Sequence, residues 1–199
     1  LQNKKQVSFF GKDENLALLS VKEPYILRFS ESQQIQSDCI IAPNILNTFD
    51  KNISKAFFEV AAKNAHQGTM LWIKCVLLEE GDYNIAYYIN NISMDFFDTH
   101  VTALLAYVAL EKRKHTKGFV YVKHNEVSEM LTPYIATNDK ARFCDALYFR
   151  NRGEYMSFPC EDDIFSYAKE YHFELVSETR SLEKFLPFSV ATFVFRLTK

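Results

Sequence analysis

Residues 69–79 form the most apolar and β-rich segment of the chain, and they limit the folds that the rest of it can adopt. Almost every side chain of the sequence TMLWIKCVLL is apolar, which is typical of a strand. The residues at 79–82, Glu-Glu-Gly-Asp, then predict a turn. The sequence YNIAYYIN at 83–90 alternates large apolar side chains with smaller or polar ones, as a second strand would. We therefore predict a β-hairpin over residues 69–90.

Helical and strand-like patterns surround this hairpin. Amphipathic spacing and end signals predict helices at 13–22, 53–65, 95–112, 125–135 and 162–170, with Gly68 as a stop for the second of them. Further strands are predicted at 25–31, 38–42, 118–122, 173–178 and 190–197. This mixture, without repeats or low-complexity linkers, predicts one α+β domain over residues 1–199.

The composition and charge of the chain exclude several classes of protein. The chain has 199 residues, of which 48% are hydrophobic and 15% aromatic, so a folded globular protein is expected. The net charge of −2 gives no reason to expect binding to nucleic acid or to an anionic membrane. No apolar run is long enough for a membrane span, and no signal-peptide pattern is found at the first residue.

The number and spacing of the glycines, cysteines and histidines argue against several kinds of functional site. The five glycines form neither G-x-G-x-x-G nor a P-loop, so a phosphate-cradling nucleotide loop is not expected. The four cysteines contain no C-x-x-C pair, which argues against zinc and for a reducing compartment. The five histidines are equally dispersed, and no metal or other cofactor is expected. We find no nucleophile–base pair and no close carboxylate pair, so no enzymatic activity is expected.

Arg28 is an unusual residue because it interrupts an apolar strand-like run, Tyr-Ile-Leu-Arg-Phe. On a strand it shares a face with Ser30, since alternate side chains point the same way. One interpretation is a strand arginine paired with a carboxylate such as Glu31 or Asp38. The other is an anion pocket, in which the planar guanidinium binds a phosphate.

The segment around Arg28 resembles the start of an SH2 domain of the STAT type. The matching features are Lys12 before the first helix, LLS at 18–20 and LRFSES at 27–32, although the Gly-Thr usual between helix and strand is missing. The sequence at 118–135 resembles the later strand and helix of that family. The resemblance implies a central antiparallel sheet flanked by two helices. It divides the chain into core motifs at 10–32, 69–92 and 118–135, helical insertions at 33–68 and 93–117, and a C-terminal α/β extension at 136–199.

The resemblance also implies a function. The chain would be a phosphotyrosine-binding module in signalling, and enlarged SH2 domains of this kind resemble those of bacterial effectors that act in host cells. The expected phosphotyrosine-binding residues are Arg28, Lys12, Ser30, Glu31 and Ser32. Tyr88, Asn84 or Lys74 would contact the phenyl ring. The expected partners are tyrosine-phosphorylated proteins, the expected state is a monomer, and the expected location is the cytoplasm, which for an effector is that of the host.

Two alternatives remain open. The segment at 37–81 resembles the middle of a class I methyltransferase, in which a strand with the pattern D-x-I-I-A-x-N-x-L leads to a helix and then to a strand bounded by glycine. The segments at 173–180 and 190–197 suit the last strands of that family. That family needs a glycine-rich turn where the backbone approaches its cofactor, and only Gly11 precedes Asp38. A methyltransferase-like domain would therefore be degenerate or truncated. The third possibility is an interaction domain without a ligand pocket.

Overall fold

The computed structural model describes residues 7–9, 37–93, 97–150, 152–182 and 186–199. Seven strands are assigned within these residues: β1 Val7–Phe9, β2 Ser37–Pro43, β3 Ala65–Leu78, β4 Val120–Lys123, β5 Tyr155–Phe158, β6 Phe173–Leu182 and β7 Phe188–Leu197. Six α-helices are assigned: α1 Lys51–Lys63, α2 Ile85–Asn91, α3 Phe97–Arg113, α4 His124–Ile135, α5 Asp139–Cys144 and α6 Glu161–Glu170. A 3-10 helix covers Ile45–Thr48, and a π-helical turn covers Asp145–Phe149.

The described residues divide into two compact units. The first, called the sheet unit, contains the described residues up to Cys75 together with Glu161–Arg180 and Val190–Lys199. The second, called the helical unit, contains Val76–Cys160 and Ser181–Ser189. Three strands, β3, β6 and β7, therefore contribute residues to both units.

A five-stranded mixed sheet has the strand order β1-β2-β3-β7-β6. Strands β1, β2 and β3 run parallel, with Cys39 of β2 opposite Val7 of β1 and Met70 of β3. Helix α1 makes the crossover from β2 to β3, as parallel strands require. Strands β6 and β7 are neighbours joined by five residues, which only an antiparallel pair allows.

Helices α1 and α6 pack on the sheet unit because each has one apolar face. Helix α1 begins where the Asp50 carboxylate accepts a 2.8 Å hydrogen bond from the Ile53 amide, which satisfies one of the free donors of the first turn. The side chain of Phe58 is fully buried, and its ring lies 6.2 Å from the ring of Tyr167 and 6.4 Å from that of Phe195. These aromatic contacts join α1, α6 and β7 in one core.

The helical unit is built around α3, whose residues from Ala103 to Ala109 are buried without a gap. Strands β4 and β5 form a separate antiparallel pair with Val120 opposite Phe158. Lys112 at the end of α3 donates to both oxygens of Glu126 in α4, at 2.6 and 2.8 Å, and to the carbonyl of Tyr121 in β4 at 2.6 Å. This contact holds a helix end, a strand and a helix start together.

The structure corrects three expectations about the fold. The predicted hairpin over 69–90 is wrong, because its second half is the helix α2 rather than a strand. The predicted SH2-like antiparallel sheet is wrong, because β1, β2 and β3 are parallel and β4 lies in a separate two-stranded sheet. Gly68 does not end a helix; α1 ends at Lys63, and Gly68 lies inside β3 with φ +93°.

Other expectations about single elements are confirmed. The strand predicted at 38–42 lies inside β2, and the helices predicted at 53–65, 95–112, 125–135 and 162–170 correspond to α1, α3, α4 and α6 with small shifts at their ends. The two C-terminal strands are present as β6 and β7. The helix predicted at 13–22 and the strand predicted at 25–31 lie outside the described residues.

Candidate functional site

The residues predicted to bind phosphotyrosine lie outside the described part of the chain. These residues are Arg28, Lys12, Ser30, Glu31 and Ser32. Their placement is therefore not tested, and the proposed contacts of each stay predictions. Of the three residues expected near the phenyl ring, Tyr88 and Asn84 line a cavity in the helical unit, whereas Lys74 is an exposed residue of β3.

The cavity that Tyr88 and Asn84 line is named here the tyrosine cavity and has a volume of about 410 Å³. That volume lies in the range of about 300–1,000 Å³ typical of small-molecule pockets. Its lining consists of Asp82, Tyr83, Asn84, Tyr87, Tyr88, Asn91, Ile92, Ser93, His100, Tyr107 and Leu186, all of them residues of the helical unit. The loop after β3, the helix α2 and one face of α3 supply nearly all of these side chains.

The N-cap of helix α2 fixes where the helix begins and so which of its tyrosines is buried against the cavity. The Asn84 side chain accepts a 3.0 Å hydrogen bond from the Tyr87 amide and so acts as the N-cap. The helix then buries Tyr88 and Ile89, while Tyr87 stays 58% exposed. The ring of Tyr88 packs 5.4 Å from that of Tyr107 on α3, between ring centroids. The cavity is therefore walled by aromatic rings from two helices.

Tyr88 and His100 form a buried hydrogen-bonded pair on this wall. The Tyr88 hydroxyl lies 2.6 Å from Nδ1 of His100, and Nε2 of His100 contacts the carbonyl oxygen of Ser93. A carbonyl oxygen only accepts, so Nε2 carries the proton of a neutral ring. Nδ1 is then an acceptor, and the Tyr88 hydroxyl donates to it. The Tyr88 phenol is thus hydrogen-bonded to a base, the Nδ1 atom of His100.

Two further tyrosines of the cavity, Tyr83 and Tyr107, have raised pKa values. Burial raises the pKa of Tyr107 to about 12, with a smaller contribution from the nearby Tyr83 hydroxyl. Burial also raises the pKa of Tyr83, with a further contribution from the charge of Glu79. Both side chains are therefore neutral phenols near pH 7. Gly81 leaves room for Tyr83, since a Cβ at Gly81 would lie 2.9 Å from the tyrosine ring.

A second, more open cavity of about 710 Å³ adjoins the first and is named here the charged cavity. Asp82, Tyr83, Asn84 and Tyr107 line both cavities. The charged cavity adds acidic and basic side chains, namely Glu80, Glu111, Arg113 and Lys114. The two cavities thus share one aromatic wall but differ in charge.

A cofactor would bind at the carboxyl end of β2, since ligands of parallel α/β sheets bind at that end of the strands. Asn44 makes the turn there with φ 56°, and its amide donates to the carbonyl of Lys74 at 2.6 Å. The described glycines are Gly68, Gly81, Gly118 and Gly153, and none of them follows β1 or β2. The residues present therefore do not fit a complete cradle for S-adenosylmethionine.

Two other kinds of site are not found among the described residues. No three side chains of His, Cys, Asp or Glu come together there in a way that could ligate a metal ion. None of the helices in the same part of the chain has the length and apolarity that crossing a membrane would require.

Comparisons with known proteins give matches only among solved structures. No protein-family model and no curated protein matches the chain. The chain is similar to a SAM-dependent methyltransferase from Methanosarcina mazei at 10% identity and TM-score 0.47, over 85% of this chain and 65% of that one. It is similar to the 1,6-didemethyltoxoflavin-N1-methyltransferase of Burkholderia thailandensis at 8% identity and TM-score 0.44, over 85% and 48%. It is also similar to an O-methyltransferase family protein from Burkholderia thailandensis at 14% identity and TM-score 0.41, over 97% and 36%.

The chain therefore spans between about a third and two thirds of the length of these structures. The interpretation as an SH2 domain is wrong, because β1, β2 and β3 run parallel in a mixed sheet, whereas that family has an antiparallel one. The phosphotyrosine-binding, signalling and effector functions drawn from that interpretation are wrong with it. The expectation that the protein is not an enzyme, which rested on the lack of a nucleophile–base pair and of a close carboxylate pair, is wrong as well.

Proposed function

We propose that this chain is the acceptor-binding part of a methyltransferase-type enzyme and takes a small organic acceptor into the tyrosine cavity. The observation that carries the proposal is the buried Tyr88–His100 pair in the wall of a cavity of about 410 Å³. Support comes from agreement between the methyltransferase-like segment at 37–46 and its position, since it forms the parallel strand β2 and the turn after it.

The pair provides the proton chemistry that a methyl acceptor requires. An acceptor nitrogen or oxygen that gains a methyl group must lose a proton, and a positioned base speeds that step. The acceptor proton passes to the Tyr88 oxygen while the Tyr88 proton passes to Nδ1 of His100. The resulting imidazolium keeps its second N–H on the Ser93 carbonyl. No charge is left on Tyr88 after the transfer.

The methyl donor must be held largely by residues other than the described ones. A glycine-rich turn lets the backbone approach such a cofactor, and the described part of the chain lacks one after β1 or β2. We therefore expect the helical unit to bind the acceptor and leave the binding of S-adenosylmethionine to residues outside the described part of the chain.

The test follows the imidazole of His100 by NMR while the chain is titrated with benzylamine and, separately, with phenol. At least one of these two probes should shift the His100 signals saturably at millimolar concentration, because each fills one aromatic-lined pocket. The signals of His66 and His172 serve as internal controls, since both residues belong to the sheet unit.

The variant Tyr88→Phe should keep the binding of the probe but remove the coupling of His100 to it, because the ring stays and the hydroxyl is lost. The matched variant Tyr87→Phe, which changes an exposed phenol of the same helix, should behave as the native chain does. The proposal is overturned if neither probe shifts His100.

A further inference from the structure

The charged side chains around the tyrosine cavity indicate which class of acceptor it would bind. Among the described residues that line it, the only carboxylate is that of Asp82, and no lysine or arginine contributes. The charged cavity beside it, in contrast, is lined by Arg113 and Lys114. A positively charged ligand therefore meets no like charge in the described lining of the tyrosine cavity, whereas an anion meets Asp82.

The aromatic side chains that line the cavity also favour a cation. The cavity is lined by four tyrosines, Tyr83, Tyr87, Tyr88 and Tyr107. The face of an aromatic ring carries negative potential and attracts cations, more strongly when the site is desolvated. Tyr88 and Tyr107 are both buried, so their rings form a desolvated part of the wall. Because the pKa values of Tyr83 and Tyr107 are raised, these rings stay neutral phenols and do not depend on pH near neutrality.

We propose that the tyrosine cavity selects a small organic cation, an alkylammonium group, through its tyrosine rings and the Asp82 carboxylate. This inference rests on the proposed function and specifies the class of the acceptor. An ammonium group fits the Tyr88–His100 pair as well, since an alkylammonium must lose a proton before its nitrogen can take a methyl group. Asp82 lies in the loop between β3 and α2 and is exposed, so it acts at the mouth of the cavity.

The experiment compares two ligands of equal shape and different charge. Choline carries a quaternary nitrogen, and neohexyl alcohol has a carbon atom in the same place. Both are titrated into the full chain by calorimetry at pH 7. Choline should bind about tenfold more tightly, because a cation–π and carboxylate contribution of roughly 1.4 kcal/mol corresponds to that factor.

Two variants separate the sources of this preference. Asp82→Asn should weaken choline binding several-fold and leave the binding of neohexyl alcohol unchanged, because the carboxylate attracts only the cation. Asp162→Asn, a carboxylate of α6 in the sheet unit, is the control for a general loss of negative charge.

The results distinguish a failure of the cation selectivity from a failure of the proposed function. Equal binding of choline and neohexyl alcohol overturns the cation selectivity and leaves the acceptor-binding function standing. Tighter choline binding that survives Asp82→Asn and is lost in Asp162→Asn places the cation elsewhere and also overturns the inference. If benzylamine and phenol fail to shift His100, the proposed function itself fails, and the result with choline is not needed to show it.

Discussion

At the scale of single residues, the hydrogen bond between Tyr88 and His100 is the contact with the largest expected effect in the helical unit. Both side chains are buried, and the hydroxyl lies 2.6 Å from Nδ1. Tyr88→Phe keeps the ring that packs on Tyr107 but leaves Nδ1 of His100 without its donor. A buried polar atom left unpaired costs about 1–3 kcal/mol, so the free energy of unfolding should fall by that amount.

Urea unfolding, followed by hydrogen exchange of peptides from α2 and α3, measures this change. Tyr87→Phe is the matched control and should change the free energy of unfolding by less than about 0.5 kcal/mol, as most exposed substitutions do. Equal stability of the two variants would show that the Tyr88–His100 hydrogen bond contributes nothing.

The residues of the cavity could be predicted from the sequence only in part. Tyr88 and Asn84 were expected near a ligand, although for the wrong fold. His100 and Tyr107 carry no local signal, because their roles arise when α3 packs against α2. His100 lies twelve positions after Tyr88 and forms no ligand spacing with the other histidines. Only the tertiary contact makes it a candidate base.

At the scale of secondary-structure elements, Glu126 has two tasks at the start of α4. Its carboxylate accepts from the Lys123 amide at 2.7 Å, which stabilises the first turn, and it also pairs with Lys112. Glu126→Gln retains an acceptor for the amide but loses the charge, whereas Glu126→Ala loses both. The alanine variant should therefore lose about 1–2 kcal/mol of unfolding free energy, and the glutamine variant clearly less.

Chemical denaturation of the two Glu126 variants tests this order. Glu111→Ala is the control, because Glu111 pairs with Lys114 on an exposed surface of α3. Such surface pairs contribute about 0–1 kcal/mol. If the glutamine variant is as unstable as the alanine variant, the charge rather than the N-terminal hydrogen bond dominates at Glu126.

The loop between β3 and α2 depends on Gly81 for the position of one tyrosine. A methyl group at Gly81 would meet the ring of Tyr83 at 2.9 Å, and the ring is the part that can move away. Gly81→Ala should thus displace Tyr83 and weaken choline binding several-fold with little effect on stability. Gly153→Ala is the matched control, because an added Cβ there has open space. Calorimetry with choline would contradict the prediction if both variants bound it equally well.

The segment at 83–90 shows why one element was predicted wrongly. Its alternation of Tyr83, Ile85, Tyr87 and Ile89 is typical of a strand. The same residues form a helix because Asn84 caps it and because the neighbours Tyr88 and Ile89 are both buried, which the alternation of a strand would not give. The N-cap asparagine was the available signal, and the alternating pattern outweighed it. Helix α1, with Asp50 before a periodic apolar face, gave no such conflict and was predicted nearly to its ends.

At the scale of the whole molecule, two histidines make the two units respond to acid in opposite directions. The pKa of His66, in the sheet unit, is raised by hydrogen bonds to the Gln67 carbonyl and to the Asp38 carboxylate. Its contribution to stability is complete below the unfolded pKa of about 6.5 and is lost as pH rises through the higher folded pKa. The pKa of buried His124, in the helical unit, is lowered mainly by burial. Its contribution is present above about 6.5 and is lost as pH falls through the lower folded pKa.

Hydrogen exchange at about pH 7.5 and about pH 5.5, corrected for intrinsic rates, should show this difference. As the pH falls, protection should rise around the start of β3 and fall in α4 and the π-helical turn. Asp38→Asn should reduce the first effect without abolishing it, since the hydrogen bond to the Gln67 carbonyl remains, and Glu129→Gln, an exposed carboxylate of α4, should change neither effect. A change of the same sign in both units would contradict the assignment of either histidine.

The architecture of the sheet was within reach of the sequence, but a local motif concealed it. The succession of β2, α1 and β3 is a strand–helix–strand pattern, which favours a parallel sheet. The short segment LRFSES at 27–32 resembled a phosphotyrosine-binding strand more closely than any other motif in the chain, and the antiparallel fold followed from that resemblance. A motif of a few residues gives no information on the direction of neighbouring strands, whereas the crossover helix does.

The protonated phenol of Tyr107 has a consequence for the protein in alkali. Its pKa of about 12 in the folded helical unit lies above the ordinary value of 10, so between these values the folded unit retains a proton that the unfolded chain releases. The free energy of unfolding of the helical unit therefore falls as the pH rises between these two values, because the unfolded chain releases the proton first. Tyr107 should accordingly be among the last tyrosines of the folded unit to ionise, visible as a late step of tyrosinate absorbance.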